Sequence, residues 1–440
     1  MRAPIGIAVA VLVLLASASG GCRSRERAEP AFTTGHPLAM REAGGSASID
    51  RHIGDLQRRL RREPSSPEAW LTLGEAWVLK AREEADPGLY HSAEDCARAA
   101  LALARDSQRA HRLLGLVLLE DHRFEEARHL AEALVARAPD DAAAHGVLSD
   151  ALLELGRTEE AAHSAQRMMD LKPNLPAYVR ASYLLWLQGD VEGALESARL
   201  AVDSGGEAEA RAWARTQAAL LSWSRGDLDR ADAELDRALA EAPEHAAAMA
   251  ARGRVALSRR DFGVASGWLE RAHRRAPLPE TAWLLGDARA ASGDDAGARE
   301  AYDRVIRDGR AFDRRTLALF LATKRREPAE AVRLAEAERS VRRDVYTEDA
   351  YAWALFRSGR IAEADRAARE ATRLGTPDPR LLWHAGAIRI ASGARREGLA
   401  LVRRALRLNP EFDLTGAAEA REVLAREARG GPVTAGRRLP

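Results

Sequence analysis

Small apolar positions return along this chain at a nearly fixed interval. Alanines stand at Ala93, Ala127, Ala161, Ala194, Ala231, Ala265, Ala298, Ala331 and Ala364, and Gly398 continues the series, with steps of 34, 34, 33, 37, 34, 33, 33, 33 and 34 residues. Such a period fits two helices and their turns, repeated. Units begin near Pro67, Gln108, Ala142, Leu175, Ala212, Ala246, Pro279, Phe312, Val345 and Pro379. Glycine or polar pairs break the apolar pattern in mid-unit (Gly156-Arg157, Gly189-Asp190, Gly226-Asp227, Gly293-Asp294, Gly359-Arg360), and Pro139, Pro173, Pro243, Pro277 and Pro410 close units where a helix cannot continue. The pattern therefore predicts about ten helical hairpins over 67–410. Ahead of them, Ile53, Leu56 and Leu60 make an apolar stripe that predicts a capping helix over 51–66. Behind them, Ala417, Ala420, Val423 and Leu424 predict a closing helix over 411–429. Each hairpin buries its apolar face only against neighbours, so both ends of the array need such caps. The tail 430–440 is expected to be disordered.

The N-terminus follows a different pattern. Ile5 to Ala18 is an uncharged apolar run after Met1-Arg2, too short to span a bilayer comfortably but suited to the core of a signal peptide. Ser19-Gly20-Gly21 and then Cys22 follow. This resembles a bacterial lipoprotein signal, which implies residues 1–21 as the signal peptide and Cys22 as the acylated new N-terminus. That family's box usually has Leu where Ser19 stands. Ordinary cleavage after Ala18, at Ala16-Ser17-Ala18, or an uncleaved anchor are the alternatives, and all three place the chain outside the cytoplasm. Residues 22–50 are polar, contain Gly, Pro and Ser, and lack a sustained apolar period, which reads as a flexible tether.

The hairpin units resemble tetratricopeptide repeats. Gly74, Gly115, Gly253, Gly286 and Gly386 stand at that family's small eighth position, and the recurring alanine stands at its twentieth. The resemblance implies an all-α fold, a right-handed α-solenoid of about ten hairpins with a C-terminal capping helix. Two units depart from the pattern. The first carries about seven extra residues around Asp86-Pro87-Gly88, which points to a longer first helix or a small loop. The eighth has Leu319 at the small position and Arg325-Arg326-Glu327-Pro328 in its turn. Extra residues at Asp203-Ser204-Gly205-Gly206-Glu207 also lengthen the junction after the fourth unit.

Charge narrows the function. Lys+Arg number 67 against 66 Asp+Glu, a balance that argues against a dedicated nucleic-acid binder. Two cysteines rule out a disulfide framework and a four-cysteine zinc site. No H-E-x-x-H, G-x-S-x-G or Walker-type G-K-S/T motif is present, nor a G-x-G-x-x-G after a strand, and the hairpins leave no stretch for a separate catalytic domain, so the chain is read as non-enzymatic, with no cofactor and no small-molecule substrate. His122 and His129 around Glu125-Glu126 do not form the histidine pair that a helical metal site needs, and no metal site is assigned. Cys96, between Ala93 and Ala100, reads as a small buried residue.

Aromatics are the one constellation with functional promise. In tetratricopeptide repeats the first (A) helices line the concave groove, and the resemblance puts Tyr183, Trp186, Trp213, Trp223, Trp283, Phe320, Trp353, Phe356 and Trp383 at groove positions, with Trp70 and Trp77 at packing positions. A groove lined with large rigid rings suits a protein or peptide partner. The lysine and asparagine pattern of chaperone-tail binders is absent. The expectation is a membrane-tethered interaction scaffold of the bacterial cell envelope, lipid-anchored, with a soluble periplasmic or secreted protein as the alternative. An assembly factor for a pilus or outer-membrane machine, or a regulatory subunit of an envelope enzyme, stays open beside it.

Overall fold

The computed structural model describes residues 35–45, 48–84 and 86–429. The expected signal peptide, Cys22, the cleavage point after Ala18 and the tail from 430 onward lie outside the described residues. Among those described there are 22 α-helices and no strand. They fall into two compact units, one within Gly6–Leu152 and one from Leu153 onward.

The N-terminal unit opens with a capping helix, Ser48–Arg62, and two hairpins, Pro67–Glu84 with Tyr90–Leu103 and Gln108–Glu120 with Phe124–Arg137. The extra residues of the first hairpin do both things open to them: its A helix is longer, and Pro87–Leu89 form a short 3-10 turn whose Gly88 N–H is capped by Asp86 (2.9 Å). Close packing inside the hairpin depends on Gly74, where a Cβ would lie 2.9 Å from Cβ of Cys96 on the second helix. Cys96 is fully buried, and burial pushes its thiol well above the usual range.

Part of the expected tether is not a tether. Residues 36–41 strap the first hairpin because one carboxylate there gathers three donors. Asp95 Oδ1 lies 2.7 Å from His36 Nδ1, and Asp95 Oδ2 accepts the backbone N–H groups of Leu38 (3.1 Å) and Ala39 (3.0 Å). The carbonyl of Ala39 then accepts the indole N–H of buried Trp77 (3.1 Å) and the amide of Gln57 (3.1 Å). Trp70 donates to Pro64 O at 2.9 Å and meets the His36 ring edge-on at 5.2 Å. Both tryptophans are core, as their packing positions implied. Lys80, also buried, pairs with Asp50 of the capping helix at 2.6 Å.

The C-terminal unit continues the repeat. Its hairpins are Leu175–Leu187 with Val191–Asp203, Ala208–Ser224 with Leu228–Glu241, Ala246–Ser258 with Phe262–Arg275, and Pro279–Ala291 with Asp295–Phe312. The shortened eighth follows, Arg314–Thr323 with Pro328–Arg339, then Val345–Arg357 with Ile361–Thr372 and Pro379–Ala391 with Arg395–Leu408. The boundary falls within Ala142–Glu154, which ends in this unit, and Thr158–Leu171 follows it in the chain. Second helices start where an aspartate follows the turn glycine, as at Asp190, Asp227 and Asp294, whose carboxylates accept the N–H groups of Gly193, Arg230 and Gly297 (2.9, 3.2 and 2.9 Å). The closing helix Leu414–Ala428 buries Ala417, Ala420 and Val423 against the last hairpins.

Replacing Asp95 by Ala removes the anchor of the strap while leaving the hairpin's apolar contacts intact. Trypsin is expected to cut after the exposed Arg41 faster than in the parent, with far-UV circular dichroism unchanged and a stability loss of roughly 1.5–3 kcal/mol. An unchanged cleavage rate at Arg41 would show that the strap holds without it.

Candidate functional site: the closed inner face of the C-terminal unit

Most rings expected in a groove stand on the A helices of the C-terminal unit, and the structure puts them inside. Tyr183, Trp186, Trp223, Trp283, Phe320, Trp353, Phe356 and Trp383 are each 8% exposed or less. Trp213 is half-buried, against the cluster of Leu175, Val179 and Ala214. The expectation of an open aromatic trough is therefore corrected: in this structure the rings are core. The reason is that A helices of the fourth and later hairpins meet one another across the interior. Trp186 Nε1 donates to the Tyr346 hydroxyl at 3.1 Å, across 160 residues. Trp353 stacks on His384 at 3.9 Å, meets Trp383 edge-on at 6.3 Å and donates to Thr323 Oγ1 at 3.1 Å. Trp283 and Phe320 make a further T-shaped pair.

Charged side chains share this interior. Arg254 lies over the Trp223 ring (5.1 Å) and pairs with buried Glu280 at 2.9 Å. Arg357 lies 4.2 Å over Trp353 and donates to Glu419 at 2.8 Å, and burial lowers the pKa of its guanidinium despite that partner. Asp349 faces His384 Nδ1 at 3.0 Å. A denser cluster closes one end. Arg315 donates to Asp344 (3.1 Å), and Arg342 forms ion pairs with Glu338 (3.1 Å) and Glu154 (3.5 Å). Burial raises Glu154 even beside Arg342; at Asp344 burial opposes the charge, yet Arg315 and Arg342 hold its carboxyl below the usual range.

What shuts the interior is a seam of three similar contacts. The backbone N–H of Arg343 donates to Glu154 O at 2.7 Å. Thr376 Oγ1 donates to Leu187 O, and Asn409 Nδ2 to Trp223 O, again at 2.7 Å in each case. The donors sit on successive links between hairpins, 33 residues apart, and the acceptors at the C-terminal ends of successive A helices, 33 and 36 apart. Such end carbonyls have no partner within the body of their own helix, and here the chain's later loops supply a donor to each, which at Trp223 O joins the Gly226 N–H of the local turn (2.9 Å). Arg373 adds a bond to Gly156 O at 2.7 Å, and Ser258 Oγ one to Glu411 O at 2.9 Å.

The turn glycines take on a second task at this seam. All of Gly156, Gly189 and Gly226 have positive φ, as the turns require, but a Cβ on Gly156 or Gly226 would also lie 2.6 Å from Arg343 O or 2.9 Å from Leu408 O. At Gly293, with the same φ, nothing lies within 4 Å. The sequence showed the turn requirement but not the close approach, since nothing at Arg343, Thr376 or Asn409 marks them as one set. The histidines set aside earlier lie in the other unit: His122 stacks on Phe124 at 5.5 Å, and exposed His129 sits beside the Arg128 guanidinium at 3.0 Å.

The tetratricopeptide repeat family matches residues 78–128 and 116–176, and a tetratricopeptide repeat-like domain matches 187–322. The chain carries tetratricopeptide-repeat domains. The last hairpins, beyond residue 322, fall outside the matched residues. No curated relative matches the sequence. Solved structures similar to the chain include TTC0263, a thermophilic tetratricopeptide repeat protein of Thermus thermophilus (24% identity, 43% of this chain and 97% of that one, TM-score 0.38). PilW, described as a widely conserved type IV pilus biogenesis factor, is 17% identical over 45% of this chain and 91% of its own, with a TM-score of 0.40. The human IFIT1 dimer with PPP-AAAA is 15% identical over 84% and 98%, with a TM-score of 0.47.

Gly226→Ala is expected to destabilise the tetratricopeptide-repeat unit by more than Gly293→Ala, because only the first adds a clash to the roughly 1–2 kcal/mol of left-handed strain. Urea titrations of the two variants compare them, and equal losses would remove the seam from the account.

His245 provides a test by pH. It caps the sixth hairpin by accepting the Ala248 N–H at 3.1 Å, and burial pushes its pKa down to about 4, since the Glu209 carboxylate at 3.8 Å is largely solvated. The unfolded chain, at the ordinary histidine value of 6.5, takes up the proton first, so this contribution is intact above pH 6.5 and is lost as pH falls toward 4. Asp313, raised by burial to about 6, acts in the opposite sense, favouring the folded state as pH falls from 6 toward 3.8. Comparing His245→Asn, which keeps a capping side chain, with the parent isolates the histidine. The variant should lose on the order of 3 kcal/mol less between pH 6.5 and 4.

Proposed function

We propose that this protein is a non-enzymatic interaction scaffold of the bacterial cell envelope, tethered to a membrane through lipid on Cys22, which docks a partner protein or peptide. The observation that carries the reading is the repeat itself: tetratricopeptide-type folds are generally non-enzymatic scaffolds that bind protein partners, and here hairpin follows hairpin from Pro67 to Leu408. The polar groups of the interior support it as well. They pair with one another, as in Arg254 with Glu280 and His384 with Asp349, rather than converging on an open cleft.

The strap at His36 bears on the tether. It stands fourteen positions after Cys22, so an acylated chain would keep the N-terminal unit within about 50 Å of the bilayer surface. That is half the leash that a flexible segment to residue 50 would allow.

Two measurements test the reading in the native host. Cys22→Ser should abolish labelling by a fatty-acid analogue and move the protein from the membrane to the soluble fraction. Crosslinking of the native protein in its membrane, with identification of the captured species, should return the same partner from independent preparations and lose it when the chain is truncated before Leu175. Unchanged membrane association of Cys22→Ser overturns the anchor, and failure to capture a reproducible partner overturns the scaffold.

A further inference from the structure

The interior of the C-terminal unit is closed, but its composition suits a face that meets water. Arg254, Glu280, Asp349, Arg380 and His384 are all buried there. Several of their atoms and of the rings beside them have no hydrogen-bond partner: Arg254 Nη1, Glu280 Oε2, the Trp283 indole N–H and Arg357 Nε. A buried donor or acceptor without a protein partner depends on water for its bond, so these atoms suit a face that water reaches. A face that alternates between buried and hydrated recovers those bonds on opening. Ordinary core positions of the same unit, such as Leu235, Ala238 and Val255 in the fifth and sixth hairpins, carry no polar group at all.

The contacts that hold the face shut differ from those that hold the hairpins up. Each hairpin packs on the next over short separations, whereas the seam rungs Thr376–Leu187 and Asn409–Trp223 cross 189 and 186 residues. Local stacking makes a repeat array stable without contacts of that range. Releasing the rungs therefore parts two edges of the unit, the helix ends at Glu154, Leu187 and Trp223 from the links at Arg343, Thr376 and Asn409, and leaves the stacking between neighbours in place.

We propose that this seam is a latch: it holds the tetratricopeptide-repeat unit in a closed, self-occluded form, and its release bares the inner face at Trp186, whose indole bonds Tyr346 across that face. That the bared face then receives a partner rests on the scaffold reading above; the latch itself does not. The latch contains its own release points. Thr376 contributes one hydroxyl and Asn409 one amide, while the Oδ1 of Asn409 is engaged separately by the Glu411 N–H at 2.9 Å. Either donor can be removed with little change of shape.

The test uses the full chain carrying Thr376→Val and Asn409→Asp together, with Gly226→Ala as an independent second opening variant. The Asp keeps the acceptor for Glu411 but sets a carboxylate against the Trp223 carbonyl. Acrylamide quenching of tryptophan fluorescence is expected to rise about twofold or more, and the radius of gyration from small-angle scattering to increase, with far-UV circular dichroism unchanged. Unaltered quenching and dimensions in both variants overturn the latch. So does loss of helicity in step with increased quenching, which makes the seam part of a single cooperative core. If the variants open but crosslink no more partner than the parent does in the native membrane, the latch stands and docking on this face falls.

Discussion

Carbonyl groups at the end of a helix must find donors outside it, and in the C-terminal unit three of them find donors almost 190 residues further along the chain. That constraint changes what a row of hairpins is. A repeat array held by nearest neighbours alone has a stability that adds up hairpin by hairpin. Here the third, fourth and fifth hairpins are tied to the links after the eighth, ninth and tenth. Contacts of such separation close only after long loops of chain have been ordered, at a cost in loop-closure entropy. The turn glycines at Gly156 and Gly226 fit the same constraint, since the approach of a foreign backbone leaves no room for a side chain.

The start of the N-terminal unit meets a related demand in another way. Trp70 and Trp77 are buried whole, and each indole N–H needs an acceptor there. Pro64 supplies one; the strap supplies the other through Ala39, and Asp95 fastens the strap. The first hairpin is thus covered by an irregular segment as well as by the capping helix.

Between these ends the interior of the C-terminal unit combines large rings with paired and unpaired charges. Trp353 has His384 on one side and Arg357 over its ring, and Arg357 in turn reaches Glu419 of the closing helix. Ring faces and cations of this kind stabilise one another in a closed space, but they are equally the groups that large rigid binding surfaces use.

The hairpins, most of their starts and their closing prolines were legible in the sequence, because they depend on spacing within about 34 residues; the fifth begins at Ala208 rather than near Ala212, and the eighth at Arg314 rather than near Phe312. So were the closing helix over Ala417 and Ala420, the long first hairpin and the degraded eighth. The places of Trp186, Trp353 and the other rings on the A helices were legible too, but whether they faced solvent was not. Exposure depends on which distant surface arrives opposite, and neither Thr376 nor Asn409 differs in type from an ordinary loop residue. The strap escaped for the same reason: a short polar segment has no period, and only Asp95, brought alongside by the first hairpin, holds it. The sequence by itself therefore determined the helices and their order, since those rest on local periodicity and helix-end chemistry. Only the tertiary structure decided that the rings are covered and that residues 36–41 lie against the first hairpin, because both depend on contacts between residues far apart in the chain.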